Sequence, residues 1–308
     1  MHIAGLVAFR DDERRVARQL AAKPFPRVDP GQGDFLAGLT GPVLVMEYIE
    51  NGMLRRLIRR LENRAEPTPN RVLWAFYLCA VRACIGMAYP RQADPDAAVV
   101  LENIPIPEVE ASTKVHGDLH TGNIMVGDFD LAVPEHSLVP VMKLIDFGLT
   151  TRVKESKKAV EENLFEASRA IYSVAIRQLR TQNDRTNTEK YKDIQTFAVR
   201  LSDEQPQDLT LDSDLRDLIC RSMAKRPEDR FTLAQMLAKT SQPVANKTAA
   251  SFMLNGTAES DDDIKDFVQD MIYNADPDPP AAPSAPAAAP AQAPPPPPPA
   301  APIMIISS

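Results

Sequence analysis

The sequence predicts an α+β fold, on three observations. Two short apolar, β-branched runs stand near the start; a long, mostly helical body follows, broken by one strand–loop–strand unit; and a Pro/Ala-rich tail has nothing to bury. Taken in order, "HIAGLVAF" (2–9) reads as a buried strand, and a charged, then Pro/Gly-rich connection runs to about Gly41. That connection holds "GQGDFLAG" (31–38), a turn-rich insertion. "PVLVMEYI" (42–49) is the second strand, closed by Asn51-Gly52. "MLRRLIRRL" places Met53, Leu54, Leu57, Ile58 and Leu61 on one face of a helix and four arginines opposite. Residues 71–89 are apolar nearly all round, as a buried helix requires, with Trp74 in the core.

An irregular segment (90–113) leads into "HGDLHTGNI" (116–124). "NIMVGD" and "VPVMKLIDFG" then read as a strand pair around a loop with Pro134 and His136. "ENLFEASRAIYSVAIRQL" (162–179) is a second apolar helix, and two helices around Arg226-Pro227 close the body. In "ESDDDIKDFVQDMIYNA" Ser260 is an N-cap, ahead of Ile264, Phe267, Val268, Met271 and Ile272 at helical spacing. This short helix either packs on its own domain or docks on a partner. The chain therefore divides into 1–52, 53–242, an acidic linker with a short helix at 243–275, and a disordered Pro/Ala tail at 276–308. The tail offers polyproline II to a polyproline-binding partner.

Composition narrows the function classes. Glu259 to Asp278 carries eight acids and one lysine, so the net charge of −7 belongs to that stretch and the rest of the chain sums to zero. That balance predicts no nucleic-acid partner and no anionic membrane surface. Cys79, Cys84 and Cys220 have no paired spacing and predict reduced core thiols. The opening residues lack secretory flanks, and the longest apolar run, Val72 to Val81, is ten residues between arginines. An intracellular protein, cytoplasmic or nuclear, is expected.

The chemistry concentrates in residues 116–148. Phosphoryl transfer needs a carboxylate to take the acceptor's proton, hard oxygen ligands for Mg2+, and a way to balance phosphate charge. Asp118 is followed five residues on by Asn123, and Asp146-Phe147-Gly148 follows an apolar strand. With "LVMEYIENG" (44–52) and "MAKRPEDRFTLAQML" (223–237), these motifs resemble the protein kinase family over residues 2–9 and 42–239, mostly its C-terminal lobe. The resemblance implies a protein-kinase-like fold with an N-lobe remnant and hinge, and a Mg2+–ATP-dependent transfer to a Ser/Thr hydroxyl of a protein. By position it makes Asp118 the base, Asn123 and Asp146 the Mg2+ ligands, and His116 a structural member of the loop. His120 takes the place of the lysine at the γ-phosphate. Met46 would be the gatekeeper, Glu47 and Ile49 would meet the adenine edge through backbone groups, and Met125 would lie beneath it. Arg230 would be a buried ion-pairing arginine.

Departures accompany the likeness. Gly117 replaces the arginine that reads a phosphorylated activation segment, and Glu162-Asn163 stand where an aspartate braces the loop. Only 17 positions separate Asp146 from Asn163. The spelling H-G-D-L-H-x-G-N is closer to aminoglycoside- and choline-type small-molecule kinases. On this likeness the glycine-rich loop and its lysine would precede residue 1, as in a truncated chain. Three rivals stand beside this reading: a small-molecule kinase, a kinase-like binding module without catalysis, and a metal set of His116, Asp118 and His120. Gly117 and Gly122 argue against a helical metal face.

Overall fold

Helices stack around one buried rod, and short two-stranded ladders attach to its flank. The computed structural model describes residues 2–4, 6–10, 43–64, 67–90, 100–107, 109–179, 185–205 and 208–274, the backbone alone for 6–10 and 43–45. Residues Met1–Ala275 form one unit and Asp276–Ser308 a second. The 11–42 connection with its glycine insertion, and the Pro/Ala tail expected to be disordered, lie outside the described residues.

The elements run β1 (Leu6–Arg10), β2 (Val43–Met46), α1 (Leu54–Glu62), α2 (Asn70–Ala88), β3 (Lys114–Val115), β4 (Ile124–Val126), β5 (Met142–Leu144), β6 (Thr151–Arg152), α3 (Ser156–Ala175), β7 (Glu189–Tyr191), β8 (Ile194–Thr196), α4 (Ser213–Ser222), α5 (Leu233–Asn246) and α6 (Asp261–Val268). Four antiparallel pairs form: β1–β2, β3–β6, β4–β5 and β7–β8. The class is α+β.

Helix α2 packs against α3 and α5. It is long and apolar enough to cross a membrane, yet it is the core of this unit, with Val72, Phe76, Tyr77 and Val81 fully buried. Each such side chain contributes about 1.5–3 kcal/mol on leaving water. Trp74 is buried and its indole N–H donates to Asp212 at 2.8 Å. The Leu54, Leu57, Ile58 and Leu61 stripe of α1 is buried in the same core. All three cysteines are buried free thiols.

Three elements differ from the sequence expectation. The run 2–9 is not one strand joined to one partner: Ile3 bridges Leu144 of β5 in parallel, whereas Leu6–Arg10 pairs with β2. Helix α3 starts at Ser156, before the apolar run, and stops at Ala175, because Arg177 turns left-handed at φ 53°. Residues 243–275 are not a linker: α5 runs on to Asn246, and the expected short helix forms as α6 and packs on its own unit, with Ile264, Val268, Met271 and Ile272 buried in the core. Glu259 explains part of this attachment. Its carboxylate accepts from the N–H groups of Asn70 (2.5 Å) and Arg71 (3.0 Å), satisfying the orphan donors at the start of α2.

Candidate functional site

Loop 116–123 hangs between two ladders. β3 brings it in from α2's side, and β4 leads away to the hairpin with β5. His116 is its fixed point. Its ring is fully buried, Nε2 donates to the Ile145 carbonyl at 3.0 Å, and Nδ1 accepts from the Asp118 N–H at 3.3 Å. Those two bonds specify the Nε2–H tautomer. Burial holds the imidazole below its ordinary pKa. Phe147 packs on the same ring, with centroids 4.9 Å apart.

Asn163, at the start of the third turn of α3, braces the loop from behind. Its Oδ1 accepts from the His116 N–H at 3.0 Å and its Nδ2 donates to the Lys114 carbonyl at 2.9 Å. An asparagine does here with one acceptor and one donor what a carboxylate can do only as acceptor. Gly117 has φ +81°, and a Cβ there would sit 2.2 Å from the Leu149 carbonyl oxygen. Only glycine lets the 147–150 segment cross the loop this closely.

The predicted chemical groups fall together. Asn123 is buried and its Nδ2 donates twice to Asp118, to the backbone carbonyl at 2.9 Å and to Oδ2 at 3.0 Å. That orientation leaves the Asn123 Oδ1 without a hydrogen-bond partner among the described residues. The Ile145 N–H donates to the Asn123 carbonyl at 2.9 Å, which places the next residue, Asp146, beside it. Asp146 is exposed and left-handed at φ 59°, and its Oδ1 accepts from the Gly148 N–H at 3.1 Å. Non-glycine residues held in that region mark functional positions often enough to matter. Two oxygen donors, Asn123 Oδ1 and the second Asp146 oxygen, fit a hard divalent cation.

His120 lies at the mouth of the loop. Its Nδ1 accepts from the Gly122 N–H at 2.9 Å, so Nε2 carries the proton, and Nε2 stands 3.5 Å from Asp118 Oδ1. A Cβ on Gly122 would meet the His120 ring at 2.7 Å, so glycine is what lets the ring fold back. The same bonds remove His116 and His120 as a metal pair: the ring nitrogens that lack a proton already accept backbone N–H groups.

Met46, Glu47 and Ile49 lie at a distance along the chain, and of the four residues assigned to the nucleotide base only Met125 is on the β4–β5 hairpin. Met46 ends β2 and is 38% exposed, and Ile49 is buried. The Ile49 N–H has no partner among the described residues. Glu47 forms a 2.5 Å ion pair with Lys143 on β5. Met125 is half-buried and bridges Met53, while the Gly52 carbonyl accepts from the Val126 N–H at 2.8 Å. Segment 51–53 thus runs alongside β4.

Two features escaped sequence reasoning. Arg55 is the second residue of α1, its N–H donates to the Thr121 carbonyl at 2.9 Å, and its guanidinium lies 3.5 Å from the Gly122 Cβ position. It has no ion pair among the described residues. Arg230 does not form its expected ion pair. It lies over the Phe165 ring at 4.5 Å and donates to the Ala224 carbonyl, while Arg185 takes Glu162 and Glu166. Comparison with protein-family models and with curated proteins returned no match.

Proposed function

We propose that this chain is a protein-kinase-like phosphotransferase that uses Mg2+–ATP to phosphorylate a hydroxyl, in the first reading a Ser/Thr hydroxyl of a protein. The observation that carries the reading is the Asp118–Asn123–Asp146 arrangement. One amide holds the Asp118 carboxylate in place while its own carbonyl oxygen stays open beside an exposed aspartate. On this reading Asp118 accepts the proton of the attacking hydroxyl, and Asn123 and Asp146 would hold a Mg2+ ion that supplies positive charge against the phosphates. His120, proton on Nε2, and Arg55 supply the positive edge for the transferred group. Met46, Glu47, Ile49 and Met125 form the nucleotide's base-binding side, where the Ile49 amide, without a partner among the described residues, serves as donor.

A small-molecule hydroxyl is the second reading, and one observation favours it. Nine residues (147–155) separate Asp146 from α3, and Thr151 and Arg152 of that segment are already paired with β3. Little backbone remains there to dock a peptide.

The test has two arms. Calorimetric titration of Mg2+–ATP should show binding that needs the metal and weakens at least tenfold in Asp146→Asn; equal binding in EDTA would defeat the assignment. Phosphotransfer to a peptide library and to amino-alcohol acceptors should vanish in Asp118→Asn while nucleotide affinity stays within about twofold. Undiminished turnover in that variant would remove Asp118 from the role.

A further inference from the structure

The structure assigns a second site to the other two histidines: we propose that His2, Cys79 and His136 together bind one zinc-class divalent ion, with Glu102 orienting His2. One ligand atom from each of the three lies within 4.8 Å of the others, and all three side chains are 0–1% exposed. They come from three separate elements, since His2 precedes β1, Cys79 lies in α2 and His136 in the turn between β4 and β5.

The geometry fits an ion better than chance packing requires. The two Nε2 atoms face each other at 3.0 Å. Two imidazole ligands on a tetrahedral zinc sit about 3.3 Å apart, given Zn–N distances near 2.05 Å, so the pair needs only a few tenths of an ångström to open. Cys79 Sγ stands 4.0 Å from His136 Nδ1, the ring nitrogen that does not face His2, so the thiol must swing toward the paired Nε2 atoms to complete the set. His2 Nδ1 donates to Glu102 Oε2 at 2.7 Å, the carboxylate–histidine arrangement that fixes a ligating ring with Nε2 free for metal. Glu102 also accepts from the His2 backbone N–H at 2.7 Å, so the ring is held at both ends.

Donor chemistry decides which ion. Nitrogen and sulfur donors select a borderline-soft ion over Mg2+ or Ca2+. Binding releases the Cys79 thiol proton to solvent, and the His136 proton moves to Nδ1. Water takes the fourth position. The enclosed setting makes this a structural clamp that pins residues 2–4 onto β5 and hence onto the strand leading to Asp146.

The experiment uses the full chain with no histidine tag, refolded with zinc and dialysed. About one zinc per chain is expected, as is a thiolate-to-cobalt charge-transfer band on cobalt substitution that Cys79→Ser abolishes. Because removing a ligand can unfold the chain, Glu102→Gln supplies the second measurement. It keeps all three donors and should lower zinc affinity 10–100-fold in competition with a chelator. Less than about a tenth of an equivalent of zinc in the wild type, or zinc retention unchanged in Cys79→Ser, overturns the proposal and leaves a hydrogen-bonded relay.

Discussion

His116 and His120 each give one ring nitrogen to a nearby backbone N–H, whereas His2 and His136 give a nitrogen to each other across 134 residues of chain. The first pair works within a loop. Each ring accepts an N–H two residues on, and His116 also donates to the Ile145 carbonyl, so the rings shape the loop and keep Asp118 in position. The second pair works between elements, joining the chain's first residues to a turn beyond β4. Loss of a local partner leaves the backbone to find water; loss of the long-range partner leaves the buried His2 Nε2 unpaired while His2 Nδ1 stays on Glu102. The two pairs should therefore fail differently when cut.

The largest effect is expected at the buried pair. His136→Ala strands the His2 ring and the Cys79 thiol in a closed space and should cost about 4 kcal/mol, read by urea denaturation. A cost below about 1 kcal/mol would make the two pairs alike. Next, Gly117→Ala adds a Cβ against the Leu149 carbonyl at positive φ, and a loss of about 3 kcal/mol should appear in thermal melts. Asn163→Ala removes both bonds that hold loop 116–123 from behind, for about 2 kcal/mol. Asn163→Asp should do less harm to the His116 bond than to the Lys114 bond, since a carboxylate accepts but cannot donate. Smallest of all, His120→Ala should alter stability by less than about 0.5 kcal/mol, because the ring is over one-third exposed. On the proposed reading it nonetheless lowers the phosphotransfer rate at least tenfold, so a stability change without a rate change would place His120 with the structural pair.

How much of this was legible follows from distance along the chain. The α1 stripe and the all-round apolarity of α2 are periodic signals within one element, and both elements form at nearly the expected residues. The Asp118–Asn123 link is likewise local, and its residue spacing carries it. Pairs β3–β6 and β7–β8 have two or three residues per strand, too short to show any period. The first turns of α3, "SKKAVEE", carry too few apolar residues to extend the apolar face, so a sequence reading starts the helix late. Contacts such as His2 to His136 or Asn163 to His116 depend on how elements pack, and nothing in the flanking residues announces them. The Arg230 expectation fails for a similar reason: Arg185, 45 residues earlier in sequence, reaches the glutamates first.

One feature of the amino-terminal segment bears on how the protein is handled at the bench. The Leu144 N–H donates to the His2 carbonyl and the Ala4 N–H donates back to the Leu144 carbonyl, so residues 2–4 serve as an extra ply on the strand that leads to Asp146. Anything fused directly to residue 1 starts next to a side chain with no surface of its own. An affinity handle, a fluorophore or a surface-coupling group attached beside residues 2–4 therefore reports on the strand that leads to Asp146, and the assay is repeated with the group placed elsewhere.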